Sequence, residues 1–175
     1  IINHKKELTD DNVYRLLRYA TNKEEIIKTL GPENISKMLY DIRHVYNLIQ
    51  ESKNKDEMAN IIINHKKELT NNDVYNLIDY ATNKYEIAKT LGSENINKLT
   101  NDNVDRLTIS AKNKYEIINI LGPENINKLT AERVRDLLSS ATNKDEMAKA
   151  LGSENINKLI YFTVRDLLSS ATNKD

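Results

Sequence analysis

ATNKDEMAKALGSENINKL occupies residues 141–159, and close copies stand at 81–99 (ATNKYEIAKTLGSENINKL), 111–129 (AKNKYEIINILGPENINKL) and 20–38 (ATNKEEIIKTLGPENISKM). A catalytic site is needed once, whereas a sentence written four times at near-fixed spacing is architecture. One Val per copy sets the register: Val13, Val45, Val74, Val104, Val134 and Val164, separated by 32, 29, 30, 30 and 30 residues. Periods of roughly 20–50 residues are the mark of solenoids and related arrays.

Working outward from that stretch, each unit reads as a set of helix starts and stops. Leu-Thr pairs open the units at Leu8-Thr9, Leu69-Thr70, Leu99-Thr100 and Leu129-Thr130. Thr is suited to an N-cap, because its hydroxyl satisfies a free amide of the first turn. Apolar residues then fall at the register Val and three, four and seven positions on, as in Val74, Leu77, Ile78 and Ala81, which is one helical stripe. Asn-Lys-x-Glu follows at Asn22–Glu25, Asn54–Glu57, Asn83–Glu86, Asn113–Glu116 and Asn143–Glu146. It predicts a second cap, with Asn on the amide of Glu and the Glu side chain reaching back. A shorter helix comes next, and the glycines Gly31, Gly92, Gly122 and Gly152 stop it. Glycine suits a helix end that needs positive φ, and Pro32 and Pro123 stand just after it, where they break nothing. The Glu-Asn-Ile stretch is expected to form a short helical turn with Ile96, Ile126 and Ile156 buried.

The fold class expected is all-α: a helical-repeat solenoid of roughly 30-residue helix-turn-helix units, since two short helices bury their stripes only by stacking on neighbours. The chain is read as a single array, 1–175, with units near 9–40, 41–69, 70–99, 100–129, 130–159 and a partial unit at 160–175. INHKKELT at 2–9 recurs at 63–70, which adds a two-unit period. The second unit lacks the glycine stop, so one continuous helix is expected over Asn54–Lys67, with Met58, Ile61, Ile62 and His65 on one face. Leu39-Tyr40 and Leu159-Ile160 replace Leu-Thr, and both junctions lose the Thr cap.

The 26 basic and 26 acidic residues cancel. That balance argues against a general nucleic-acid or anionic-membrane surface, whose affinity accumulates from Lys and Arg. No Cys is present, which removes disulfides and thiolate metal sites, and no apolar run approaches membrane-spanning length. Enrichment in Asn, Lys and Ile matches A/T-rich codons and carries no function. A chain that opens on Ile1 and stops at Asp175 in mid-repeat is expected to be a fragment, with other segments of its parent protein among its partners.

Residue types that carry chemistry are scattered. His4 and His65 share one repeat position and His44 stands alone, which makes no metal-ligand set. Acidic pairs such as Glu24-Glu25 sit at helix starts, where negative charge is favourable in itself. No catalytic residue, cofactor or metal site is expected, and the chain is read as no enzyme. The tyrosines say more: nine of them stand against one Phe and no Trp. Tyr14, Tyr46 and Tyr75 share the position after the register Val, and Tyr19 and Tyr80 share the other flank. They either seal one unit against the next or, with Arg18, form a protein-binding face, since Tyr and Arg are enriched in binding hot spots. Arg135 and Arg165 later take the Tyr14 position beside Asp136 and Asp166, a solvated helix face.

The pattern LTxxxVxxLLxxATNKxEIxKxLGxENINK resembles the helical repeat regions of the rickettsial surface autotransporter family that mimics formins. The resemblance spans the whole chain and rests on repeat grammar and Asn/Lys/Ile composition. It implies a fragment from a bacterial cell surface that helps host actin assemble, a virulence function. The partner implied is a protein, actin first, and no residue carries over position by position. Two other readings stand beside it. One is a structural spacer with no partner of its own. The other is a nucleic-acid-reading array like the TAL type, whose repeats also open Leu-Thr, although ATNK here replaces a glycine-bearing base-reading loop.

Overall fold

In the computed structural model, which describes residues 8–171, the Thr of each Leu-Thr pair starts a helix. The helices of the first half are α1 (Asp10–Tyr19), α2 (Lys23–Leu30), α3 (Pro32–Met38), α4 (Ile42–Glu51), α5 (Lys55–His65) and α6 (Asn71–Tyr80). Those of the second are α7 (Lys84–Ile96), α8 (Asn101–Ser110), α9 (Lys114–Ile126), α10 (Ala131–Ser140) and α11 (Lys144–Ala171). No strand occurs among the described residues.

The caps act where the sequence places them. The side-chain oxygens of Thr9, Thr70, Thr100 and Thr130 accept from the amides of Asn12, Asp73, Asn103 and Arg133. Asn22, Asn54, Asn83, Asn113 and Asn143 accept from the amides of the Glu three residues on, at 3.1–3.2 Å. In the first of these the Glu25 carboxylate does not reach the Asn22 backbone and takes the Asn22 side-chain amide instead, at 2.9 Å. Full reciprocal boxes form at Thr70 with Asp73 and at Thr100 with Asn103. Lys of the Asn-Lys-x-Glu motif has a second use at the preceding helix end. Lys84 donates to the carbonyls of Ile78, at 2.7 Å, and Asp79, and Lys23 to Ala20 at 2.9 Å, where helix carbonyls lack partners.

Each glycine joins two helices without a loop. Gly31 donates its amide to Ile27 to close α2 and lends its carbonyl to the Ile35 amide to open α3, with φ 79° and ψ 159°. Gly92, Gly122 and Gly152 have φ of 71°, 71° and 78° and bend α7, α9 and α11 at one residue. The Glu-Asn-Ile stretch is helical as expected, a short third helix of seven residues after Gly31, with Pro32 in its first position, and of about one turn after Gly92 and Gly122. A Cβ added at Gly122 would meet nothing within 4 Å, so the constraint there lies in the backbone alone. Gly122→Ala is expected to lower stability by about 1–3 kcal/mol, the cost of holding Ala in a region open essentially to glycine. Urea unfolding of the variant measures this, and an unchanged midpoint would show that the bend tolerates a side chain.

Where the grammar lapses, the helices respond. Asp41 replaces the missing Thr as cap of α4, its carboxylate accepting from the Arg43 amide at 2.9 Å. The Arg43 side chain also donates to it and holds the Asp41 carboxyl well below the usual range, at about 2. At 160 nothing replaces Thr, and α11 runs on through Leu159 and Ile160 to Ala171. In α5, which has no glycine, the helix is continuous over Lys55–His65 between the caps Asn54 and Lys66, two residues short of the expected end. Met58, Ile61 and Ile62 are buried on its face and His65 is half-buried.

The chain divides into two compact units, Ile1–Gly92 and Ser93–Asp175. In the first, α1 lies on α2, α3 and α4, and α4 lies on α5 and α6. Leu17, Ile35, Met38, Leu48, Ile62 and Leu77 form the centre of its core. In the second, α8 lies on α9, and α9 and α10 lie on α11, around Val104, Ile118, Leu121, Val134 and Leu137.

The second unit also carries a polar joint that repeats. The Asn125 amide donates to the Ile96 carbonyl (3.2 Å) and to Asn97 Oδ1 (3.1 Å), and Lys128 donates to the carbonyls of Asn97 and Leu99. One repeat later Asn155 donates to Asn127 Oδ1 (2.7 Å), and Lys158 to the carbonyls of Asn127 (2.8 Å) and Leu129 (2.9 Å). Each Lys thus sits on the carbonyl end of the previous repeat's third helix, and each Asn is buried. The expected apolar joint holds at Ile96 and Ile126, which are buried, but Ile156 is only half-buried.

Candidate interaction face

The position after the register Val places its tyrosines on two sides of the surface boundary. Tyr14 is buried and stacks on His44, ring centroids 4.5 Å apart and planes 13° apart. Tyr75 is buried too, and its hydroxyl donates to Asp79 at 3.3 Å. Tyr46 alone of the three is exposed. The three therefore present no common binding face: two of them seal the first helices, and α4 carries the third outward.

The flanking tyrosines lie further out. Tyr19 is 73% exposed, with the Arg18 guanidinium 5.2 Å from its ring and 5.8 Å from that of Tyr14. Arg18 also pairs with Glu51, which ties α1 to the end of α4. Tyr80 reaches across from α6 and meets Tyr46 edge-on, centroids 5.8 Å apart, donating its hydroxyl at 3.3 Å. That hydrogen bond raises the Tyr80 hydroxyl to about 12, with desolvation adding to it. Lys55 Nζ lies 5.1 Å from the same ring. Arg18 and Tyr19 on α1, Tyr46 on α4, Lys55 at the start of α5 and Tyr80 on α6 thus form an aromatic and cationic strip. Five donors or π-faces at a partly dry surface can hold a flat or acidic protein surface by hydrogen bonds, cation–π contacts and ring burial.

Sequence reasoning does not reach two features. Tyr40 is 89% exposed at the first lapsed junction, a place read only as a lost cap. His44 is buried rather than solitary: Nδ1 lies 3.1 Å from the Met38 carbonyl and Nε2 3.2 Å from Asp11. Its partner Asp11 lies on α1, 33 positions back, and no local pattern marks the pair. Arg135, at the same repeat position as Tyr14, is exposed and pairs with Glu132 (3.8 Å) and Asp136 (3.9 Å) as a solvated face. His4 and the side chains of Arg165 and Asp166 lie outside the described residues. Among the described residues no group of His, Asp and Glu could hold a metal ion, and no helix is long and apolar enough to cross a membrane.

The two buried tyrosines differ in one atom's surroundings. The Tyr14 hydroxyl is buried with no hydrogen-bond partner, whereas that of Tyr75 has Asp79. Tyr14→Phe is expected to raise stability by about 1 kcal/mol by removing an unmet donor, and Tyr75→Phe to lower it by about as much. Thermal melts of the two variants decide this, and the reverse order would place an unmet group at Tyr75 instead.

Neither a family model, nor a curated protein, nor a solved structure matches this chain.

Proposed function

We propose that the chain is a helical-repeat solenoid that binds a protein, actin being the first candidate, through the strip of Arg18, Tyr19, Tyr46, Lys55 and Tyr80. The observation that carries the reading is that strip: Tyr19 and Tyr46 exposed, with Arg18, Tyr80 and Lys55 set against them. Rings and guanidinium held by neighbours lose little freedom on binding, which favours them as anchors. The twice-repeated Asn/Lys joint supports stacking of like repeats, and stacked repeats make long curved binding surfaces. The resemblance to the formin-mimicking autotransporters supplies actin as the partner and a bacterial cell surface as the setting. The balanced charge supports protein over nucleic acid.

The test is a titration against monomeric actin of the wild type and of a variant with Tyr19, Tyr46 and Arg18 all changed to Ala. Tyr14 and Tyr75 stay untouched, because their loss would unsettle the fold rather than the surface. The triple variant is expected to bind more than about tenfold more weakly at unchanged melting temperature, as for loss of interface anchors. Equal binding by both proteins would remove the strip from the interface. No binding by either would favour the spacer reading. Small-angle scattering checks the solenoid part, for which an elongated profile is expected and a globular one would be fatal.

A further inference from the structure

We propose that the pocket between α9 and the start of α11 binds a carboxylate brought by an acidic segment of another protein, an aspartate side chain in particular. The pocket lies within the second unit, shares no residue with the tyrosine strip and assumes nothing about actin.

Two joints between consecutive repeats are written almost identically. Lys-Asn-Lys-Asp-Glu at 53–57 meets the turn Ala-Thr-Asn-Lys at 81–84, and Lys-Asn-Lys-Tyr-Glu at 112–116 meets Ala-Thr-Asn-Lys at 141–144. They differ at one place, where Tyr115 stands for Asp56. The two joints are also built alike, because the second Lys of each reaches the residue just before the turn. Lys55 Nζ lies 5.1 Å from the Tyr80 ring, and Lys114 donates to the Ser140 hydroxyl oxygen at 3.1 Å.

In the first joint the turn holds a carboxylate. Asp56 accepts from the Thr82 amide at 2.8 Å and from the Asn83 amide at 3.1 Å. These two amides stand at the start of α7, where the helix end favours negative charge. In the second joint the chain supplies no such group. Among the described residues the amides of Thr142 and Asn143 have no acceptor, and they open on a pocket of about 390 Å³ lined also by Lys112, Lys114, Tyr115 and Glu146. Thr82 and Asn83 are as exposed as Thr142 and Asn143, so exposure does not keep a carboxylate off such amides.

The second joint thus keeps the amides, the turn and both lysines, and has a phenol and an opening where the first has its anion. Lys112 and Lys114 against Glu146 leave room for one negative charge. A doubly charged phosphate would be repelled more strongly by Glu146, which favours a carboxylate. The pocket is larger than a bare carboxylate fills, and Tyr115 and the buried Met147 offer apolar contact to the carbon atoms beside it.

Heteronuclear NMR of the whole isotope-labelled chain, titrated with N-acetylaspartate N-methylamide, tests this. The amide signals of Thr142 and Asn143 are expected to shift and saturate in the millimolar range usual for so small a ligand. Those of Thr82 and Asn83, already occupied, are expected to stay in place until Asp56→Ala frees them. The asparagine analogue is expected to shift neither pair, and acetate and inorganic phosphate to bind more weakly than the aspartate probe. Lys114→Gln is expected to weaken that probe roughly tenfold, the loss of one charge-assisted contact. Tyr115→Asp is expected to move the Thr142 and Asn143 signals without any ligand and to abolish probe binding, with helix content unchanged by circular dichroism. Should that variant fail to fold, Lys114→Gln still decides. Still signals at Thr142 and Asn143, equal shifts with the asparagine analogue, acetate or phosphate binding as tightly as the aspartate probe, or undiminished binding by either folded variant would each overturn the proposal.

Discussion

Lys66→Ile is expected to destabilise the first unit by about 3–5 kcal/mol, and adding Asp73→Asn to restore most of the loss. Asp73 is fully buried, and one of its oxygens takes the Lys66 ammonium, the Thr70 amide and the Thr70 hydroxyl, each at 2.7 Å. Its other oxygen is buried with no partner. Removing the cation alone leaves a dry carboxylate with hydrogen bonds on one side only, which is costlier than the pair is worth. The chain itself contains the neutral alternative. One repeat on, Ile96 stands where Lys66 does and Asn103 where Asp73 does, and Asn103 still accepts from the Thr100 hydroxyl at 2.9 Å. Double-mutant denaturation decides the matter. If Lys66→Ile alone costs under about 1 kcal/mol, the pair behaves as a surface ion pair and water reaches Asp73.

That comparison also shows what a single sequence makes legible. Thr and Asn caps, the glycine bends and the core stripe depend on residues within four positions of one another, and repetition tests each several times over. They can be read off Thr70, Asn83, Gly122 or Leu77 without knowing the fold. The direct joint escapes because Gly-Pro-Glu-Asn-Ile reads as a stop followed by a turn, although a glycine of φ near 71° with extended ψ both ends one helix and starts the next. The Asn125/Lys128 joint escapes for another reason: its bonds to Asn97 and Leu99 span about one repeat, and only packing brings those carbonyls within reach. In the candidate site, the residue types are legible and their exposure is not. Tyr14, Tyr46 and Tyr75 hold one repeat position, yet His44 covers the first while Tyr46 stays outside. Neighbours in the next repeat decide this, and they differ from unit to unit.

The same dependence on neighbours separates two residues with identical local sequence. Ile126→Ala is expected to cost about 2–5 kcal/mol, and Ile156→Ala roughly 1 kcal/mol. Both stand in the stretch Glu-Asn-Ile-Asn-Lys-Leu, four residues after a glycine bend, and both precede a Lys that caps the previous repeat. Propensity, capping and solvation of the unfolded chain are therefore nearly equal for the two, and they cancel from the comparison. The folded surroundings remain as the difference. Ile126 is 4% exposed, and after it the helix ends so that Thr130 can cap α10. Ile156 is half-buried, in a helix that continues past Ile160 because no cap stops it. Truncation at Ile126 removes buried methylenes and leaves a cavity, whereas at Ile156 solvent already reaches part of the side chain and the surface can relax. Chemical denaturation of the two variants in parallel reads the gap directly. Equal losses would mean that Ile156 is as fully covered in solution as Ile126.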